Sequence, residues 1–585
     1  MSFFEGGKTA RTVYISATTI GLGLSLWGYS AVHLPGASAA ELPLAIGGVI
    51  LSALNLFIPR PEIMLDPCQS MAVRIAAFLC GVSGFIAAAL VWITVAGRSA
   101  ADIWTQLFRR GHVLVVGDGD FATRFATSLV QAKRSVVQAV DASASPLAAA
   151  AHRLRLTLTP EKLRSRAALH RSDKVVIDTG SDTGNMAQAM AIVGAAQEGD
   201  RKTSIALRVT DSVLSDRFLD HLQGKYAKLP MHVSVFDENR ILARHVLASQ
   251  PLFQRARERG QNRVHALIIG FGDLGEKLMD QVLLTSLAYD LGTPRVTIVD
   301  RDADARVSEF CARRPRVLSN LKIDFIPFDF DGLPCTGEPL SKAAKAIRIA
   351  ESEDPFTMIY VALPQYNDVA RTVLQLSRLR EQFDMFKAPI SYRCKLAGEE
   401  ADVLNADTPP HVGADHGFLR MSLPTERLMD ALLGQEEADA LAICIHEAYR
   451  AGKDVSKEAN KPWDELPDTF KRANRRAGDH IPAKLATVGV RAAWNEPLTE
   501  ADRNNLQQIL DLSNDDPLIQ RLAELEHERW CIDRFLDGWT PGEADDHKTR
   551  IRRTLVPFAK LKSDKVQISK DIDQVRKAIR FLMDT

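Results

Sequence analysis

The stretch "GHVLVVGDGDFATRFA", Gly111 to Ala126, decides the fold. Val113 to Val116 is a short apolar run flanked by glycines, which reads as a buried strand. It runs into Gly117, Gly119 and Ala122, a GxGxxA turn, and then into a helical pattern. Glycines in such a turn let the backbone approach an anion at the start of the following helix. A second strand, "SVVQAVD", ends at Asp141, 19 residues past Ala122, where an acid would take ribose hydroxyls. A later strand, "KVVIDTG" (Lys174 to Gly180), sets Asp178 and Thr179 at the carboxyl edge of the sheet, where ligands bind in such folds. Asp118 and Asp120, inside the first turn, would repel a phosphate.

The pattern repeats downstream. "HALIIGFGDLGEKL" holds Gly270, Gly272 and Gly275, a full GxGxxG, and "RVTIVD" ends at Asp300. "TMIYVALPQYND" and "ISYRCK" are counterparts of "KVVIDTGSDTGN" and "IALRV". A lone GxGxxG is weak, but two copies in strand–turn–helix context, each with an acid downstream, predict two Rossmann-like doubly wound parallel sheets.

Upstream of Gly111 lie three uncharged runs: Thr12 to Val32, Leu42 to Ile58 and Ile75 to Gly97, of 21, 17 and 23 residues. About 20 apolar residues cross a bilayer, so the first and third are long enough and the second is marginal. Trp27, Tyr29 and Trp92 stand toward run ends, where amphipathic rings prefer the interface. With the central run re-entrant, Lys8, Arg11, Arg98, Arg109 and Arg110 share one side against Arg60 and Arg74 on the other. The positive-inside rule then makes the C-terminal body cytoplasmic, on a multi-pass protein of a bacterial inner (cell) membrane. The central run "LPLAIGGVILSALNLF" has no TVGYG-like carbonyl filter, so potassium selectivity is not supported.

Composition narrows the function classes. Lys plus Arg and Asp plus Glu both number 73, a balance that excludes general nucleic-acid binding by a basic surface and leaves small anionic ligands open. The seven cysteines are scattered without a CxxC pair, so neither a disulfide framework nor a metal site is expected.

"HVLVVGDGDFATRFA", "KVVIDTGSDTGNMAQAM" and "IALRVTD" resemble the TrkA-N, or RCK, domain that regulates potassium conductance in prokaryotes. The resemblance covers about residues 111 to 250, and 263 to 400 looks like a more divergent copy. It implies that the Gly-rich turns and the second-strand acids bind NAD or another adenine nucleotide. It also implies that these domains pair into rings beneath a pore, through homo-oligomers among which a tetramer is favoured.

From about Glu437 the composition changes. In "DDPLIQRLAELEHERWCIDRFLDGWTPG", Asp516 can cap a helix that Pro517 begins and Gly538 ends. A weak internal repeat aligns His446-Glu447 with His527-Glu528, and Pro462-Trp463 with Pro557-Phe558. These segments resemble the RyR domain, first named in ryanodine receptors and also found in bacterial proteins. The second copy, over 518 to 581, carries His527, Trp530, "DGW" ending in Trp539, and "LVPF". The resemblance implies a sensor without catalytic residues, whose ligand would meet His527, Trp530, Trp539, His446 and Trp463. The adjacent His–Glu pairs form no HExxH and lack a placed nucleophile, and they also read as ordinary core residues. "NRRAGDH" (Asn474 to His480) reads either as a phosphate-holding cluster or as a solvated helix face.

The expected fold class is therefore α/β with membrane helices. A transmembrane helical module spans 1–98 and a connector 99–110. Rossmann domains span 111–260 and 261–400, a linker 401–436, and a mostly helical RyR-type module 437–585. The expected function is a nucleotide-gated channel or pore, not an enzyme, whose architecture also suits antiviral defence. A non-conducting regulator of a separate potassium transporter and a membrane-bound NAD-dependent oxidoreductase stay open as alternatives.

Overall fold

The computed structural model describes residues 19–34, 41–55, 61–95, 109–141, 153–195, 203–222, 231–328, 342–393, 417–433, 437–490 and 498–584, apart from a few positions inside these spans. The chain divides into two compact units, one built mainly from residues 1–110 and the other from residue 111 onward.

In the first unit, α1 (Leu42–Asn55) and α2 (Met71–Val95) are helical. The side chains of α2 are described up to residue 84. Among the described residues, no helix is long and apolar enough to cross a membrane. At about 1.5 Å per residue, α1 covers roughly 21 Å, short of the ~30 Å hydrocarbon core. The membrane-spanning reading of the three apolar runs therefore has no support from these residues. Much of the first run, and Ile103, Trp104, Leu107 and Phe108 of the connector, lie outside the described residues.

The second unit opens with a sheet of β1 (Val113–Val116), β2 (Val136–Val140), β3 (Arg153–Arg155), β4 (Lys174–Ile177), β5 (Thr203–Arg208) and β6 (Met231–Phe236). Its order is β3-β2-β1-β4-β5-β6 and every pairing is parallel. That is the Rossmann order, with the switch between β1 and β4. Val113 pairs with Val136 on one side and with Lys174 on the other. Runs such as VLVV are apolar at every position because helices cover both faces. Helices α3 (Asp120–Gln131), α4 (Asp182–Gly194) and α5 (Glu238–Ser249) belong to this domain.

The second sheet comprises β7 (Arg263–Ile269), β8 (Gly292–Asp300), β9 (Lys322–Pro327), β10 (Met358–Val361), β11 (Ile390–Arg393) and β12 (Phe418–Met421). Its order, β12-β11-β10-β7-β8-β9, repeats the first. Helix α6 (Asp273–Thr285) follows its Gly-rich turn and packs against α5 of the first domain. The second sheet runs past residue 400: the stretch expected as a linker supplies β12 and then α7 (Thr425–Leu433). Leu428, Met429 and Leu432 of α7 turn back into the core of the first sheet, beside Phe121, Phe125 and Leu129. The two Rossmann units are thus laced together by an apolar helix.

The C-terminal module contains α8 (Glu437–Arg450), α9 (Asp468–Asp479), α10 (Glu500–Asp511), α11 (Pro517–Leu536) and α12 (Lys565–Asp584). Asp516 caps α11 by accepting from the Leu518 N–H, with Pro517 at the first position, as the sequence predicted. Leu441, Ile445, Leu506, Ile519, Leu522 and Ile572 share one core. A second core joins α11 to the second sheet and to α5, through Leu525, Ile532, Phe535, Leu278, Val282 and Leu242.

The weak repeat has a structural counterpart. His446 Nε2 lies 2.7 Å from the carbonyl of Lys461, and His527 Nε2 lies 2.8 Å from that of Val556. Both carbonyls belong to the residue before the aligned proline. The His446 ring sits 6.0 Å from Trp463, and the His527 ring 5.9 Å from Phe558.

Candidate functional site

The two Gly-rich turns share a backbone path and differ in what fills them. In the first, Gly117 has φ +113°, a conformation glycine adopts without strain. A Cβ on Gly117 would lie 2.1 Å from the Asp178 carbonyl oxygen, and one on Gly119 would lie 2.2 Å from Asp178 Oδ2. The Asp178 carboxylate accepts the Ala122 N–H at 3.0 Å and the Gly180 N–H at 3.2 Å. Asp178 is fully buried, with Arg208 3.8 Å away. The first turn of α3 is where a helix offers free N–H donors to an anion. Here the chain's own carboxylate holds that position, and a phosphate does not fit beside it. Thr179 turns to Asn185, giving its N–H at 2.6 Å and its hydroxyl at 2.9 Å. Asp141 stands at the end of β2.

The second turn has room. Gly270 has φ +92°, and a Cβ on Gly275 would strike the Gly270 carbonyl oxygen at 2.0 Å, so turn and helix approach as closely as backbones can. A Cβ on Gly272 would meet nothing within 4 Å. Asp300 Oδ2 accepts the Phe271 N–H at 2.7 Å, and Oδ1 accepts the Asp302 N–H at 2.8 Å. This fixes the acid beside the turn. Asp273, the first residue of α6, is drawn away by Asn239 and Lys277. Glu276 is held by Arg313 and Arg314. Burial alone would raise its carboxyl, but the two guanidiniums bring it down to about 2. Gly270, Gly272, Gly275 and Asp300 therefore fit a nucleotide better than Gly117, Gly119, Ala122 and Asp141 do.

The aromatic and histidine residues predicted for the C-terminal module do not converge. His527 is buried in α11, with Nδ1 3.6 Å from Asp571. Trp530 and Trp539 pack against the core shared with the second sheet, and Arg552 lies over the Trp539 ring at 5.1 Å. His446 is buried behind Trp463. Of the five, only Trp463 lines a cavity.

That cavity, of about 400 Å³, is walled by β4–β6 and α5 of the first Rossmann unit, α6 of the second, and α8 and α9 of the C-terminal module. No residue of either Gly-rich turn lines it. Among the described residues its wall carries eight Lys or Arg and five Asp side chains. Lys471, Arg472, Arg475 and Arg476 on α9 are spaced one, four and five apart, which puts them on one helical face. The "NRRAGDH" segment is thus no solvated face, because Arg475 and Arg476 point into the protein. Arg475 is gripped by Asp439, with Nε 2.8 Å from Oδ1, and Arg476 by Asp533 and Asp537. Arg244 makes a two-pronged pair with Asp479, at 2.9 and 2.8 Å. Arg240 and Arg244 were not singled out in the sequence. Their four-residue spacing on α5 was the only available signal. Among the described residues, no group of His, Cys, Asp or Glu is arranged to hold a metal ion.

Residues 505–585 match the family model of the RyR domain. The chain is also similar to a crystal structure of a GsuK mutant at 16% identity, covering 74% of this chain and 99% of that one with a TM-score of 0.35. The GsuK channel bound to NAD gives 14%, 75%, 84% and 0.34 on the same measures. A dipicolinate synthase from Bacillus halodurans gives 9%, 50%, 84% and 0.18. At such low superposition scores, the Rossmann assignment rests on the strand order and Gly-rich turns of the chain itself.

Proposed function

We propose that this chain is a membrane-tethered sensor of RCK type in which a bound nucleotide controls permeability. NAD or another adenine nucleotide binds the second Gly-rich turn at Gly270, Gly272, Gly275 and Asp300. The observation that carries this reading is the contrast between the turns, one closed by Asp178 and the other open at Gly272. When bound, the nucleotide supplies a charged pyrophosphate and no chemistry on a substrate, so in this reading the chain is not an enzyme. α6 begins at that turn and its flank packs on α5 and α9. A ligand at its N-terminus therefore acts on the element that joins all three modules. It shifts the population toward whichever arrangement binds it more tightly.

The membrane link is part of the same proposal. Large apolar side chains of the first unit stand in the open, among them Leu44 at 80% exposure, Leu51 at 69% and Trp27 at 66%. Such a surface needs cover from lipid or from neighbouring subunits. A homotetramer in a bacterial inner membrane, with the Rossmann and RyR parts cytoplasmic, satisfies that need. A defence role would use the same gate to collapse membrane integrity.

The test is flux from liposomes carrying the full-length chain, with NAD, ADP and ATP as probes, alongside native mass spectrometry. A nucleotide-dependent flux that Gly272→Asp abolishes is the expected result. A chain that passes no ion under any of these nucleotides, while co-purifying with a separate transporter, would overturn the pore in favour of a regulator.

A further inference from the structure

The cavity walled by Lys174, Arg240, Arg472 and Trp463 is separate from both Gly-rich turns, and its charges do not balance. Arg475, Arg476 and Arg244 are each matched to carboxylates and form its scaffold. Arg240 differs. Among the described residues its guanidinium has neither a hydrogen-bond nor an ion-pair partner. Burial pushes its pKa down, and the Arg472 charge pushes it further. Lys174, at the start of β4, donates only to the neutral hydroxyl of Ser204 at 2.8 Å, and burial pushes its ammonium down to about 8. Cations taken from water without a counter-charge are costly. An anion in the cavity would supply what the wall lacks. Guanidiniums with planar forked donors favour phosphate among anions.

The ring in the wall is an independent observation. In the second repeat, Phe558 occupies the position after the aligned proline and is buried at 5% exposure in the module's core. In the first repeat the same position holds Trp463, which is only partly buried and lines the cavity. Its backbone N–H is held by Glu447 Oε1 at 3.2 Å, and Lys471 and Arg475 lie within 6 Å of its ring. An aromatic platform beside a cationic face suits a base next to a phosphate. The volume of about 400 Å³ lies near the small end of the ~300–1,000 Å³ range of ligand pockets, which suits one nucleotide rather than a dinucleotide.

We propose that this cavity is a second ligand site, specific for a mononucleotide, with the phosphate held by the cations around Arg240 and Arg472 and the base against Trp463. The site draws one wall from each Rossmann unit and one from the C-terminal module, so its occupant ties the three together.

The test is calorimetry on the full-length chain in detergent, with inorganic phosphate, adenosine, and the monophosphates AMP, GMP, CMP and UMP as probes. At least one monophosphate is expected to bind tenfold or more tightly than phosphate, with adenosine far weaker. Arg240→Gln is expected to weaken that monophosphate at least tenfold, the loss of one charge-assisted contact, while Arg240→Lys retains part of the affinity. Trp463→Leu is expected to weaken the monophosphate and leave phosphate unchanged. Circular dichroism checks that each variant is folded. Monophosphate and phosphate binding alike would overturn the base subsite. Binding untouched by Arg240→Gln but lost in Gly272→Asp would move the ligand to the second turn, overturning this site while leaving the proposed function intact. No binding by any monophosphate would overturn this inference alone, since NAD, ADP and ATP test the turn separately.

Discussion

Glu526 sits in the middle of α11, where it accepts from both Lys484 and Arg529. The Lys484 and Glu526 side chains are 2% and 1% exposed. Burial by itself would raise the Glu526 carboxyl, but Arg529 and then Lys484 overcome it and bring the pKa from the ordinary 4.5 to about 2. A depressed acid contributes stability that is fully present above its ordinary value and lost as pH falls toward the folded one. At neutral pH the contribution is therefore complete. At ~1.36 kcal/mol per pKa unit it amounts to roughly 3 kcal/mol, at the lower edge of the ~3–5 kcal/mol that breaking a buried pair costs. Glu526→Gln keeps the shape and removes the charge, leaving Lys484 and Arg529 facing each other. Hydrogen exchange followed by mass spectrometry on the full-length chain reads the consequence locally. Amides of α11 and α12 should exchange on the order of 100-fold faster at pH 7, while those of α3 in the first Rossmann unit stay unchanged. Exchange in α11 within about threefold of the wild type would refute the electrostatic argument. Equal acceleration in α3 would refute the independence of the C-terminal core.

Further outcomes follow from the same geometry. His265 and His480 are held neutral by burial, at about 4 and about 3, so their stabilisation is lost as pH falls below about 6.5. His527 is the opposite case: burial opposes its charge, yet Asp571 and Cys531 lift it to about 10. Its contribution is complete below about 6.5 and is lost as pH rises toward 10. A stability profile by chemical denaturation should therefore peak near pH 6.5, and His527→Gln should flatten the alkaline limb alone; an unchanged limb would rule out a charged His527. Asp178→Ala should free the N–H donors of the first turn, so that the variant takes up inorganic pyrophosphate at a site the wild type lacks; equal uptake by both would show that the carboxylate does not close the turn. Gly275→Ala should cost more than about 2 kcal/mol because its methyl would lie 2.0 Å from the Gly270 carbonyl oxygen. Gly272→Ala, with open space at the same atom, should stay within about 0.5 kcal/mol. Comparable losses in the two glycine variants would contradict the close approach of turn and helix.

The Rossmann pair was legible because its signals are local. Short apolar strands, glycine turns and an acid at the end of the next strand lie within about thirty residues, and both sheets take the order they imply. The cap at Asp516 and the pairing of His446 with Pro462 and of His527 with Pro557 are local in the same sense. What fills each pocket is not local. Nothing near Gly119 in the chain reveals that Asp178, dozens of residues downstream, places its carboxylate on Ala122, or that Gly272 has no such neighbour. Nor does the sequence show that α7 leaves the second sheet to cover the first, because an amphipathic helix states that it has an apolar face but not which surface takes it. The cationic face of α9 reads equally well as solvated until α5, α6 and α8 close over it. By itself the sequence determined the strand–turn–helix units, their duplication and the helix ends. Tertiary packing alone decided which turn stays open and where Arg240, Arg472 and Trp463 meet. Those outcomes depend on contacts between segments up to two hundred residues apart, whose burial and charge are set by neighbours that no local pattern names.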